Sequence, residues 1–260
     1  MSEPAVRPGE FVQSLERGLS VIRAFSHDRP RMTLSDVARE TDMTRAAARR
    51  FLLTLEHLGY VGSDGRQFFL RPSVLQLGYA YLSSFSVAEI AQDHLETLAA
   101  VLHESCSASV LDLAEIVYIA RASTNRIMTI GLSVGARLPA HCTSMGRVLL
   151  AALTPLELDR YLAHADLTAR TDRTITGADA LRAELDAVRK QGWSLIDQEL
   201  EDGVRSVAVP IQDAQGRVLA AINVSTHATR VTLPTLRDDF LPQLSACARE
   251  IDEDLAGGRH

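Results

Sequence analysis

Between Thr33 and Val61 apolar residues return with a helical period in two short runs separated by a polar turn. In the first run Leu34, Val37 and Ala38 share a face, and Thr33 or Ser35 is placed to cap the start. In the second, Ala48, Phe51, Leu52, Leu55 and Leu58 follow an i, i+3, i+4, i+7 rhythm and line one side of a helix. At about 100° per residue, Ala46, Arg49, Arg50 and Leu53 then point away from that stripe, with Arg45 on the flank. A preceding helix is predicted over Gln13 to Phe25, with Leu15, Leu19, Ile22 and Phe25 on one side. Two short apolar runs, Gly59 to Val61 and Gln67 to Leu70, flank Ser63-Asp64-Gly65-Arg66 and predict a hairpin.

Three helices and a hairpin over residues 11–71 make a winged helix-turn-helix, mainly α. A buried stripe backed by arginines and small residues suits a helix that enters a DNA major groove. Small side chains let it approach, and Arg reads guanine bidentately or grips phosphate. Thr44, Arg45, Arg49 and Arg50 are the expected DNA-contacting set, and Arg66 on the wing is expected to meet backbone or minor groove. A winged-helix module used for protein interaction fits the same pattern. The two differ in whether Arg45, Arg49 and Arg50 stand free.

After Pro72 the run to residue 85 predicts a linker helix, with Leu75, Tyr79 and Leu82 on one face and few charges. Such a helix exposes much apolar surface alone, so a homodimer is expected, as two-fold readers of DNA need two heads. Residues 86–256 form a third segment. An amphipathic helix from Ser86 to Glu104 precedes strand-like runs at Ser107 to Leu113, Ile116 to Ala122 and Arg126 to Leu132. Helices follow at Ser144 to Leu153, Pro155 to Ala163 and Ala178 to Gln191. Strands return at Trp193 to Asp197, Val204 to Ile211 and Val218 to Ser225, before a closing helix from about Leu233 to Leu255. Strands, helices, then strands predict an α+β domain with an antiparallel sheet.

Charge separates these parts. The net charge is −6, yet residues 1–71 carry 11 Arg against 9 Asp and Glu, and the acidic excess lies behind them. A mildly basic front suits a DNA-binding head on a domain that avoids DNA. Three widely spaced cysteines, Cys106, Cys142 and Cys247, suggest neither a disulfide framework nor a metal site. No apolar run is long enough for a membrane helix and the N-terminus lacks a signal pattern, so a cytoplasmic protein is expected. No catalytic or cofactor motif is present, and His141-Cys142, adjacent on an extended segment, point opposite ways. No enzyme, cofactor or metal is expected.

In order along residues 11–255, five segments resemble the IclR-type bacterial transcription regulators. They are SLERGLSVIRAF, the winged unit, the linker, GARLPAHCTSMGRVLLAAL and DQELEDGVRSVAVPIQDAQGRVLAAINVS. TRAAARRFLLTLEHLGYV and LQLGYAYLSSFS resemble the branch that regulates protocatechuate, 4-hydroxybenzoate and β-ketoadipate catabolism. The resemblance implies a homodimer or dimer of dimers on promoter DNA, with a GAF-like C-terminal effector domain that binds a small carboxylate. By motif it places effector contacts at Ser144, Met145, Asp197, Ser206, Asn223 and Ser225. Physical reading supports part of this set. A helix beginning at Ser144 offers free N–H groups and a positive dipole end to a carboxylate. Asn223 and Ser225, two apart, share one side of an otherwise apolar strand. Ser144 also suits an N-cap, Glu199 is an alternative to Asp197, and Arg137 suits either a carboxylate effector or an acid of the sheet.

Overall fold

The computed structural model describes residues 10–26, 28–78, 87–123 and 132–257. They fall into two compact units that divide between residues 84 and 85.

In the first unit, α1 (Gln13–Ala24), α2 (Leu34–Glu40) and α3 (Arg45–His57) are followed by the wing strands β2 (Val61–Ser63) and β3 (Gln67–Leu70). Thr33 starts α2 with a reciprocal capping box to Asp36, and Thr44 caps α3 by accepting from the Ala47 N–H at 3.2 Å. Ala48, Leu52 and Leu55 of α3 are buried against Val21, Ala24, Val37 and Ala38. The Asp-Gly turn closes as its residues dictate. Gly65 takes a left-handed φ of +90°, and Asp64 accepts from the N–H groups of Arg66 and Gln67 at 3.0 and 2.7 Å.

Two local expectations change. Arg31–Thr33 forms a strand, β1, on the other side of β3, so the wing is a three-stranded sheet. Three residues are too few to show a period. In α1 the buried residues are Val21 and Ala24, whereas Leu15 and Leu19 are exposed with Phe11 and Val12. This amphipathic helix turns its smaller apolar face inward, where Gly18 lies close to Phe51. Of the linker, Pro72–Val74 is a 3-10 turn running into helix at residues 75–78. Tyr79 and Leu82 lie outside the described residues, as does most of the expected strand Arg126 to Leu132.

The second unit opens with α4 (Val87–Leu102), β4 (Ser105–Asp112), β5 (Glu115–Ala122) and a short β6 (Arg137–Pro139), which the sequence reading lacks. Then come α5 (Ser144–Ala151), α6 (Pro155–His164) and α7 (Ala178–Gln191). The strands β7 (Ser194–Asp197), β8 (Val204–Gln212) and β9 (Val218–His227) lead to the last helix, α8 (Leu241–Ala256). All six strands join one antiparallel sheet in the order β6-β5-β4-β9-β8-β7. Alternation divides its faces. Cys106, Ala108, Val207, Val209, Ile222 and Val224 pack with α4 and α8. Tyr118, Ala208 and Ala221 lie in the other core, with Met145 and Val148 of α5 and Leu181 and Leu185 of α7. On the second face α5 packs against β4, β5, β7, β8 and β9.

Candidate DNA-reading helix and candidate effector recess

On α3 the residues between the buried positions face water. Arg45, Arg49 and Arg50 are exposed, and none has a hydrogen bond or ion pair from its guanidinium among the described residues. Three other arginines of the same unit are held by acids. Arg29 pairs with Glu40, Arg39 with Asp36, and Arg31 with Asp64 at 3.0 Å while lying over the Phe69 ring. The helix thus presents three uncompensated positive charges beside Ala46, the combination that a groove-reading helix needs. Thr44 sits at the start with its hydroxyl used as the cap, and Arg66 is exposed at the wing tip.

The recess of the second unit begins at a glycine. Thr143 caps α5 by accepting from the Gly146 N–H at 3.2 Å. A β-carbon on Gly146 would overlap the carbonyl oxygen of Ala140 and lie 2.5 Å from the Ala140 Cα. Only glycine lets the turn 140–142 fold back against the helix start. Gly146→Ala is therefore expected to cost about 1–3 kcal/mol by overpacking, read as a lower urea midpoint. An unchanged midpoint would show that the turn can yield.

That start hangs Ser144 and Met145 over the sheet. Ser109 Oγ lies 3.3 Å from Met145 Sδ, which fixes the side of the sheet that α5 covers. Cross-strand partners point the same way, so the register assembles two rows on that side. One runs Ser194, Ala208, Asn223, Ser107 and Arg121 across β7, β8, β9, β4 and β5. The next runs Ile196, Ser206, Ser225 and Ser105. Ser144, Ser107, Ser206 and Asn223 are buried. Asn223 donates its amide to Ser225 Oγ at 3.0 Å, but its Oδ1 has no partner, nor do Ser144 Oγ and Ser194 Oγ. Ser144 is not the cap, because Thr143 is. Small side chains and unpaired polar oxygens on the side of the sheet that α5 covers are the features a polar ligand of modest size would use.

Five of the six expected contact residues, Ser144, Met145, Ser206, Asn223 and Ser225, are brought together. Asp197 is not. Its cross-strand partner is Arg205, on the opposite side of the sheet from Ser206, and its carboxylate holds Arg205 and, at 2.7 Å, Arg173. Those arginines keep its pKa below the usual carboxylate range, against the opposing effect of burial. Glu199 is buried and lies behind α5, bound to Arg147 at 2.5 Å. Arg137 pairs with Asp112 and Glu115, both at 2.7 Å. The sequence reading missed Ser105, Ser107 and Ser109 of β4, although polar residues at every second position were the signal. It also missed Arg121, whose place depends on the register of two strands.

The His141–Cys142 pair has no nucleophilic character. Burial holds the His141 imidazole below its ordinary pKa and pushes the Cys142 thiol up to about 11. A thiol that stays protonated at neutral pH is inert.

Residues 14–65 match the IclR helix-turn-helix domain, and residues 79–253 match the bacterial transcriptional regulator IclR C-terminal domain. The chain is 50% identical over 249 residues to the Pca regulon regulatory protein of Pseudomonas putida, covering 95% of this chain and 86% of that one. Among solved structures it is similar to a transcriptional regulator from Rhodococcus sp. RHA1, at 55% identity and a TM-score of 0.85. That match covers 96% of this chain and 100% of the other. It is also similar to a double mutant of the PobR inducer-binding domain from Acinetobacter, in complex with 3-hydroxybenzoic acid. There the identity is 37% and the TM-score 0.60, covering 63% of this chain and 96% of that one. With a DNA-binding head, a sensor-like second unit and these matches along its length, the chain belongs to the IclR family of bacterial transcriptional regulators.

Proposed function

We propose that the chain is a ligand-responsive regulator of aromatic-acid catabolic genes of the β-ketoadipate pathway, acting on promoter DNA in the cytoplasm. A small organic acid, protocatechuate, 4-hydroxybenzoate or β-ketoadipate, occupies the recess under α5 and changes how paired α3 helices sit on the operator. The observation that carries this reading is the set of buried, unpaired oxygens on Ser144 and Asn223. Each costs about 1–3 kcal/mol unless a polar group reaches it. Ser144, Met145, Ser206, Asn223 and Ser225 are assigned to the ligand, and Asp197 to holding Arg173 and Arg205. The pathway rests on similarity to the Pca regulon regulatory protein and to the domain bound to 3-hydroxybenzoic acid.

Thr44, Arg45, Arg49, Arg50 and Arg66 are assigned to DNA, within a head of residues 11–71, joined by residues 72–85 to an effector domain of residues 86–256. The exposed apolar residues Phe11, Val12, Leu15 and Leu19, with Leu75 and Leu77 after the wing, support a homodimer or a dimer of dimers. A second copy would cover such surface and double the reading helix.

Titration calorimetry tests the effector. Heat of binding is expected with at least one of the three acids. Silence from all three would remove the pathway and leave the family's DNA-binding role standing.

A further inference from the structure

A carboxylate entering a buried recess needs a counter-charge, since an unpaired ion in low dielectric is strongly disfavoured. The arginines around α5 are few, and their partners decide which of them is available. Arg147, 1% exposed, gives Nε to the His141 carbonyl at 2.9 Å and its other nitrogens to Glu199 and Glu184. Arg137 is held by Asp112 and Glu115. Arg173 and Arg205 share Asp197. Arg121 differs from these four, because its guanidinium has no hydrogen bond or ion pair among the described residues; the same holds for Arg170, which is exposed beside the His141–Cys142 turn and belongs to neither row of the sheet. The hydrogen bonds that Arg121 makes are backbone ones, both to Gln92.

Direction and spacing also favour Arg121. Its neighbours Ala120 and Ala122 belong to the core under α4, so alternation assigns Arg121 to the other side, with its cross-strand partner Ser107 and near Tyr118, although it also borders a groove with Glu96, Ala99 and His103 at the sheet edge. Partial burial draws its pKa below the ordinary guanidinium value, yet an arginine stays charged. Asn223 is the next residue along the row after Ser107. Two strand spacings separate Arg121 from Asn223, about 10 Å between α-carbons. A six-membered ring fits across that span above the short side chain of Ser107.

We propose that Arg121 is the counter-ion for the effector's carboxylate. The ring of the bound acid lies over Ser107, and its hydroxyl-bearing end meets Asn223 and Ser144. This deepens the effector reading above and rests on it. It places the negative end at β5 rather than at the α5 N-terminus, where Thr143 already occupies the Gly146 N–H. The recess then takes a carboxylate at Arg121 and a polar group opposite it, and discriminates against the neutral amides of such acids.

Calorimetry on the full chain tests this with Arg121→Met, which keeps the stem and removes the charge, and Arg121→Lys, which keeps the charge. The probes are 4-hydroxybenzoate, protocatechuate and β-ketoadipate, with 4-hydroxybenzamide as the uncharged match. Arg121→Met is expected to weaken the acid at least about 30-fold, the scale of a charge-assisted hydrogen bond. Its amide affinity stays at the wild-type level, and Arg121→Lys falls between wild type and Arg121→Met for the acid. Acid binding by Arg121→Met within about threefold of wild type overturns the assignment, as does an equal loss of acid and amide. If Arg121→Met does not fold, as judged by its thermal transition, Arg121→Lys decides alone: acid affinity unchanged from wild type while the amide weakens would overturn it. Wild type that binds no acid removes the effector reading itself, a result distinct from a variant that binds as well as wild type.

Discussion

Replacing Arg49 and Arg50 together with alanine removes operator binding while the chain stays folded and keeps its effector affinity. The side chains are exposed and unpaired, so their loss leaves no buried partner behind, and Ala is the better helix former. The core of the head lies on the other side of α3, at Ala48, Leu52 and Leu55. Each arginine that reads a base contributes about 1–3 kcal/mol, and each that holds phosphate adds about one unit to the salt slope. In the proposed two-fold dimer every contact is lost twice, so operator affinity should fall more than about 100-fold. Footprinting and gel-shift titration at several salt concentrations give the measurement, and the salt slope separates base reading from phosphate grip. A double variant that protects the operator like wild type would show that α3 is not the reading helix. Arg66→Ala, at the wing, should cost less and act evenly across sequences.

Removing one end of the Arg147–Glu199 pair lowers stability by about 3–5 kcal/mol, the scale for an ion stranded in a protein interior. Arg147 is among the largest fully buried side chains of the molecule. In Glu199→Leu its remaining acidic partner is Glu184, 3.5 Å away and one-third exposed, which compensates poorly. In Arg147→Met the buried Glu199 carboxylate keeps one bond in the described structure, from the Ile175 N–H at 3.3 Å. The double variant Arg147→Met with Glu199→Leu removes both polar groups and should cost less than the two single changes added together. Urea unfolding measures this, and a Glu199→Leu midpoint equal to wild type would mean that water reaches the pair. Effector binding should weaken as well. Arg147 leaves α5 one turn after Ser144, so the pair ties the roof of the recess to the loop between β7 and β8.

Periodicity carried most of the fold. α7 was legible over Ala178–Gln191 because Leu181, Leu185 and Val188 repeat at helical spacing, and the Asp-Gly turn announced the wing. The head's output face was legible for the same reason, since the stripe of α3 implies where its arginines point. α1 shows the limit. Its pattern contains two apolar faces, and only packing against α3 decided that Val21 and Ala24 go in while Leu15 and Leu19 stay out. β1 and β6, three residues each, exist because a neighbouring strand offers them partners.

The recess divides in the same way. Asn223 and Ser225 were visible as same-side residues of β9, because alternation is local. Ser144 and Met145 were visible as the start of a helix. Asp197 was placed by motif, and the register of β7 with β8 turned it away from Ser206. The β4 serines and Arg121 could be joined to Asn223 only by knowing which strands lie side by side. The sequence by itself determined which residues share a face, because φ and ψ set a period of two or of 3.6. Tertiary structure alone decided which faces meet and which arginines find an acid, because strand order and ion pairing join residues distant in the chain.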